Sequence, residues 1–499
     1  MSNNEVSRNK VMKGLFWVYL ENISAQLVTF IVSIILARLL LPNDYGLIAL
    51  VTVFINIANV FVSSSFNMSL VQKKDADRLD YNTLFWFNCV LSVVLYAILF
   101  ISAPLIAEYY ENELLIPIIR VLSLSIPLSA YNSIQVAYVN SKMTFKKSFI
   151  ATSAGAVISG IIGIAMAYKG DGLWALVAQK VINIFLNTIF LSAIVDWKPR
   201  LEFSWVRFKS LFQFGWKILV TGLMFTGYSE LRSLVIGKRY SADDLAYYNR
   251  GFQFPQFIAS NIDTTITRVM LPTLSKSQDD VKQLALMTRR AAKTSAYIMT
   301  PILFGLAVVG NNVVSILLTD KWLPCVPYLQ IMCIVWWLQP TQSCSIQAIN
   351  AIGRSDVYLR IEIISKVLGI SLLIGAVAIF NTPFAIAVSM LIGQISAVFI
   401  YGTFVQIHVG YRLIDQIKDL LVPGSLGIVM AVGVYFVGTL FTGKFGKLIT
   451  LLVQTVFGAF IYITLSHVLK IEEYNYLRNI IIRRKTSTEK CCCRKEKSQ

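Results

Sequence analysis

The chain has 499 residues, 56% of them hydrophobic and 14% charged, with a mean hydropathy of +0.63. That balance excludes an ordinary soluble globular domain and points to a protein embedded in a bilayer. The formal net charge of +18 does not indicate a nucleic-acid partner, because the basic residues are distributed by side of the membrane rather than gathered on one compact domain.

A spanning helix takes roughly 20 mostly apolar residues, since lipid offers no hydrogen bonds to an open backbone. In chain order the segments that satisfy this are 14–41, 45–70, 81–106, 115–140, 148–168, 172–195, 211–236, 248–274, 291–309, 325–350, 358–380, 383–407, 421–442 and 446–466. The expected architecture is therefore an all-α polytopic membrane protein with fourteen transmembrane helices. The polar stretch 1–13 and the length of the first apolar run make that run an anchor rather than a cleavable signal. Basic residues favour the segments that place both termini in the cytoplasm by about four to one. The residues from 471 to 499, ending RRKTSTEKCCCRKEKSQ, are expected to form a basic, disordered cytoplasmic tail near anionic headgroups.

The seven cysteines give no disulfide framework, and Cys491, Cys492 and Cys493 fall in the reducing cytosol. With two histidines, His408 and His467, and no metal-spaced cluster or phosphate-cradling glycine loop, neither a metal nor a cofactor is expected.

An internal repeat organises the chain. At an offset of about 200, Trp17 falls near Trp216 and the turn Arg38–Asp44 on Lys238–Asp244; at 210, Asn140 falls on Asn350 and Trp174-Ala175 on Phe384-Ala385. Spans 1–6 (14–195) thus correspond to spans 7–12 (211–407), with 196–210 as a cytoplasmic linker and 421–466 outside the repeat. An even number of spans per half gives both halves the same orientation.

Polar residues recur at helical spacing. Asn22, Gln26, Thr29 and Ser33 share one face of the first span, with Glu21 beside them; Thr52, Asn56, Asn59, Ser63 and Asn67 share one of the second. Span 7 carries Lys217, Thr221, Tyr228 and Arg232, and span 8 carries Asn249, Gln253, Gln256, Ser260, Asp263 and Thr267, with Arg268 at the edge. Interhelical hydrogen bonding explains any single neutral residue. An ionisable group in the membrane costs more, roughly 2.5–3.5 kcal/mol even on lenient scales, so Glu21, Arg120, Lys180, Lys217, Glu230, Arg232, Asp263, Arg268, Glu362 and Lys366 need partners or water. Glu362 and Lys366 are four apart and pair most simply with each other, whereas Glu230 and Arg232 are two apart and face different ways. The remaining spans 13 and 14, with little beyond Ser425, Thr439 and Gln454, suit a lipid environment.

The opening GLFWVYLENISAQLVTFIVSIILARLLLPNDYGLIAL, with SLVQKKD, YYNRGFQFPQ, LPTLSKSQDD and INAIGRSD further on, resembles the Wzx-type polysaccharide exporters. The likeness is to the colanic acid and teichuronic acid branch of the multidrug/oligosaccharidyl-lipid/polysaccharide exporter superfamily. That resemblance implies two six-helix lobes around a cavity in a bacterial cytoplasmic membrane, and alternating access of an undecaprenyl-pyrophosphate-linked glycan, with a polysaccharide polymerase and a chain-length regulator as further partners. The expected contacts to pyrophosphate and sugar are Arg232, Arg268, Lys180, Lys217, Asn22, Gln26, Asn56, Asn59, Gln253 and Gln256, and the expected ion-coupling acids are Glu21, Glu230 and Asp263. The competing readings are a drug or cation antiporter, which would carry an acid-dominated cavity, a lipid II flippase, and a membrane glycan ligase or polymerase, which would need a long catalytic outer loop that the sequence lacks.

Overall fold

The computed structural model describes residues 26–64, 69–70, 76–142, 144–275, 280–441 and 445–479, without the side chains of 63, 64, 145, 214, 268, 269, 271 and 272. The chain forms two compact units, Met1–Asn249 and Arg250–Gln499.

In the first unit the helices are α1 (Gln26–Leu39), α2 (Pro42–Asn59), α3 (Arg78–Tyr109), α4 (Leu115–Leu122), α5 (Ser125–Lys142), α6 (Phe145–Lys169), α7 (Leu173–Ile194) and α8 (Trp205–Arg239). A π-helical turn, Val60–Ser64, follows α2. Asn88 Nδ2 donates to the Val62 carbonyl at 3.1 Å, so an irregular backbone group within the bundle is satisfied by a side chain. The core of this unit joins Leu84, Phe85, Ile134, Leu191 and Trp197. The 196–210 segment, expected as a linker, leads into α8, which packs on α2.

In chain order there follow α9 (Ala242–Ser275), α10 (Val281–Leu318), α11 (Val326–Ala351), α12 (Ser355–Ile379), α13 (Pro383–Val409), α14 (Leu413–Phe441) and α15 (Lys447–Val468). A 3₁₀ turn, Asp320–Cys325, lies between α10 and α11. One cluster of the second unit joins α9, α11, α12 and α13 through Leu274, Ile349, Ile361 and Val405; another joins α10, α14 and α15 through Tyr297, Met430 and Tyr462.

Each of the fourteen expected segments coincides with helix in the described residues, and ten helices are long and apolar enough to cross a membrane by length and composition. The chain is a multi-pass membrane protein. The long helices α8, α9 and α11 are not among the ten because polar side chains dilute them. The fourth segment is interrupted at Ser123-Leu124, where Pro127 has no N–H to continue the backbone ladder. The residues beyond 470 require a correction: 472–479 are helical, and Glu473 is buried rather than part of a solvated tail. Lys293 holds this helix by contacts of 2.9 Å to both Glu472 and Glu473. Beyond 479 the tail, with Cys491 to Cys493, lies outside the described residues.

The two turns that the sequence offset aligns are capped alike. Asp44 Oδ2 accepts from the Leu41 N–H at 3.1 Å to open α2, and Asp244 Oδ2 accepts from the Ser241 N–H at 3.2 Å to open α9. Each carboxylate sits in the first turn, where it satisfies a free donor and faces the positive end of the helix dipole.

Candidate functional site

The first unit gathers polar side chains on α2, α7 and α8. Thr52, Asn56 and Asn59 follow the helical repeat on α2 and are half-buried. Two glycines let α8 approach: a Cβ on Gly237 would lie 2.8 Å from Leu50 Cδ1, and one on Gly222 would lie 3.0 Å from Val60 Cγ1. At that separation Asn56 Nδ2 donates to Glu230 Oε1 at 2.8 Å. Lys180 of α7 reaches the same face of α2, donating to Thr52 Oγ1 at 2.9 Å.

Arg232 faces elsewhere, as its two-residue separation from Glu230 requires, and is 5% exposed. Its guanidinium lies 5.1 Å from the centre of the Tyr228 ring, and Nη2 donates to the Tyr228 hydroxyl at 3.3 Å. Nε is buried without a hydrogen-bond partner, and among the described residues no carboxylate lies within ion-pair distance of the group. A guanidinium has five N–H donors and keeps its charge. Arg232 is therefore a buried cation with most of its donors unused, an arrangement that costs stability unless an anion arrives.

In the second unit α9 is seated on α11 at Gly251, where a Cβ would lie 2.7 Å from the Leu329 nitrogen. Phe254, Ala259, Met270 and Leu274 are buried, while Gln253, Gln256, Ser260, Asp263 and Thr267 stay accessible. Buried Arg250 donates from Nη1 to Gln253 Oε1 at 2.9 Å and lies 5.3 Å from the centre of the Trp322 ring. A relay of donors ends on Asp263. Gln394 Nε2 donates to Gln339 Oε1 at 3.0 Å, Gln339 Nε2 to Ser343 Oγ at 3.4 Å, and Ser343 Oγ to Asp263 Oδ2 at 2.8 Å. Each donor in such a chain polarises the next, which favours a charged acceptor at its end.

Of the expected site residues, Asn56 and Glu230 meet, Lys180 joins the face that carries Asn56, and Gln253 and Asp263 fall on one accessible stripe with Gln256. Lys217 on α8 and Gln26 on α1 are exposed. Glu21, Asn22 and the side chain of Arg268 lie outside the described residues. Arg120 stacks on Phe100, 4.4 Å from the ring centre. Glu362 and Lys366 pair at 3.6 Å, and the Tyr401 hydroxyl also donates to Glu362, so the expected clip has a third member. Sequence reasoning missed Arg250, Gln339, Ser343 and Gln394. Arg250 stands between Asn249 and Gln253 of the stripe, a signal available in the sequence; the three partners on α11 and α13 had none, because nothing within one helix shows which neighbouring helix its glutamines and serines will meet.

A family model described as polysaccharide biosynthesis protein matches residues 35–327, more than half of the chain. The chain belongs to that family. Proteins with similar sequences include the lipopolysaccharide biosynthesis protein WzxC of Escherichia coli, 24% identical over 88% of this chain and 89% of its own. The succinoglycan biosynthesis transport protein ExoT of Rhizobium meliloti is 21% identical over 70% of this chain and 71% of its own. Among solved structures, the lipid II flippase MurJ in an inward closed conformation aligns with a TM-score of 0.72 at 16% identity, covering 94% of this chain and 100% of that one. At that identity the likeness establishes a shared fold for this family member.

Proposed function

We propose that this protein flips an undecaprenyl-pyrophosphate-linked oligosaccharide from the inner to the outer leaflet of a bacterial cytoplasmic membrane by ion-coupled alternating access, with both termini in the cytoplasm. The glycan and pyrophosphate cannot cross hydrocarbon, whereas the isoprenoid tail stays in lipid throughout, so only the head group needs a protein path.

The observation that carries the reading is Arg232, buried and without a carboxylate partner among the described residues. In lipid such a charge marks a substrate pathway by default, and its unused, forked donors fit phosphate oxygens. Lys180, Lys217 and Arg268 supply further positive charge. Asn56, Asn59, Gln253 and Gln256, with Asn22 and Gln26, offer amides suited to sugar hydroxyls. Moving the anion outward is downhill in an inside-negative membrane by about 2.3 kcal/mol per charge per 100 mV; returning the emptied, positively charged site is the uphill step. Binding of a proton or sodium ion at Glu230 or Asp263, with Glu21, drives that return as antiport. Export reading and family agree: the E. coli and R. meliloti relatives are named for polysaccharide biosynthesis, and the latter for transport.

The test is flipping of a fluorescent lipid-pyrophosphate glycan in proteoliposomes. Arg232→Ala should lose transport while the purified protein keeps its helicity and melting temperature. Undiminished flipping by Arg232→Ala would remove the assignment, and flipping indifferent to proton and sodium gradients would remove the coupling.

A further inference from the structure

The first unit carries a groove of about 540 Å³, separate from the α2/α8 cluster, between α3, α5 and α7. Its length is apolar, with Val93 on α3, Pro127 and Leu128 on α5, and Ile189 on α7. The hydroxyls on its floor are turned away: Ser92 donates to the Cys89 carbonyl at 2.7 Å, and Thr188 to the Ile184 carbonyl at 2.7 Å. Polar character gathers at one end, where the Tyr131 hydroxyl meets Ser192 Oγ at 3.1 Å and Lys198, whose Nζ donates to the Ser192 carbonyl, closes the rim with its other two N–H donors left for a ligand.

The segment bearing Lys198 is fixed in place. Arg78 Nη2 donates to the Lys198 carbonyl at 3.3 Å, and Trp86 Nε1 donates to the Arg200 carbonyl at 2.7 Å. Among the described residues, Arg78, Lys198 and Arg200 have no carboxylate within ion-pair distance. The nearby acids are engaged elsewhere, Asp196 with Lys147 at 2.8 Å and Glu202 with Asn82 at 2.9 Å. Immediately after them Leu201, Trp205 and Val206 are 88%, 67% and 78% exposed. Apolar and aromatic residues exposed beside lysine and arginine mark the level of the lipid headgroups. Along the mouth of the groove Val90, Val93 and Ile189 are exposed as well, so it opens sideways toward hydrocarbon.

We propose that this groove holds one acyl chain of an anionic phospholipid, with the phosphate against Lys198 in the leaflet that contacts the 198–206 segment. An apolar channel with a cationic end is complementary to an amphiphile with an anionic head. The volume lies in the range of ligand pockets, roughly 300–1,000 Å³. It has room for a single acyl chain but not for the much longer undecaprenyl chain, which separates this site from the transported lipid. The inference does not rest on the transport reading; it would stand if the substrate were something else.

The test is native mass spectrometry of the full chain released from micelles holding equal amounts of palmitoyl-oleoyl phosphatidylglycerol, the matching phosphatidylcholine and undecaprenyl phosphate. Phosphatidylglycerol should be retained over phosphatidylcholine. Lys198→Ala should reduce that preference by about fivefold, and Val93→Trp, which fills the groove from an exposed position, should abolish retention of both phospholipids. Ala193→Trp at the other wall should repeat the loss, so that a folding defect in one variant does not decide the outcome. Equal retention of the two phospholipids by the unmodified chain, or retention untouched by the filling variants, overturns the proposal. Displacement of phosphatidylglycerol by undecaprenyl phosphate in a Lys198-dependent manner overturns it too, by giving the groove to the isoprenoid.

Discussion

Helices α9 and α15 are opposite in the face they bury. In α15 the residues at four-residue spacing, Thr450, Gln454, Tyr462 and Ser466, are buried, while Leu452, Val456, Phe460 and Ile463 are more than half exposed. In α9 the buried face is Leu245, Ala246, Phe254 and Ala259, and Gln253, Gln256 and Asp263 are accessible. The first is a helix turned inside out for lipid, its polar groups paired within the bundle: Gln454 accepts from Asn312 at 3.0 Å and donates to the Val434 carbonyl at 3.2 Å. The second keeps amides and a carboxylate where hydrocarbon could not solvate them, so its accessible face belongs beside water or a polar ligand. A polar residue in a membrane helix therefore carries different meaning according to the face it occupies.

The sharpest way to break that comparison is to make the accessible face of α9 apolar. Gln256→Leu should lower flipping by tenfold or more while stability stays within about 0.5 kcal/mol, read by transport and thermal unfolding on the same preparation. If α9 faced only protein or lipid, stability would change and transport would not. Within the first unit, Gly46 of α2 lies against the backbone at Ala242, where a Cβ would stand 1.8 Å from the carbonyl oxygen; Gly46→Leu should destabilise by about 1–3 kcal/mol in a chemical unfolding series. On α15 the expectation is reversed: Gln454→Leu leaves the Asn312 amide without this partner, costs about 1–2 kcal/mol of stability, and leaves transport per folded molecule unchanged. The smallest effect is at Glu472, whose carboxyl is held below the usual glutamate range by its hydrogen bond and charge contact with Lys293. Since its folded pKa is lowered, its contribution is complete above the ordinary value of 4.5 and lost as pH falls below it. Glu472→Gln should cost less than about 1 kcal/mol at neutral pH and flatten the acid limb of the melting-temperature profile.

The architecture was legible because its signals are local. Twenty apolar residues in a row can satisfy their backbone in lipid only as a helix, so the spans stand in the sequence wherever polar residues are sparse, and in α8 and α9 they survive even a polar stripe. The repeat was readable through Asp44 and Asp244, because a capping carboxylate acts on its own first turn. The sequence also showed, through two-residue spacing, that Glu230 and Arg232 could not satisfy one another.

Partners across helices were not legible. That Glu230 would take Asn56, 174 positions away, and that Gln339 and Gln394 would form a relay to Asp263, depends on which helices adjoin and on glycines that set how closely. The helix at 472–479 had the composition of a solvated tail; Lys293 beside its two glutamates docks it, together with Tyr474 and Leu477 packed on the cluster of α10, α14 and α15. The sequence by itself determined a multi-pass helical membrane protein, its repeat and its inventory of charges, since those follow from solvation and backbone chemistry within one helix. The tertiary structure alone decided that Arg232 is buried without a carboxylate partner among the described residues while Glu230 takes Asn56 from another helix, because whether a charge is answered across helices depends on what long-range packing brings beside it.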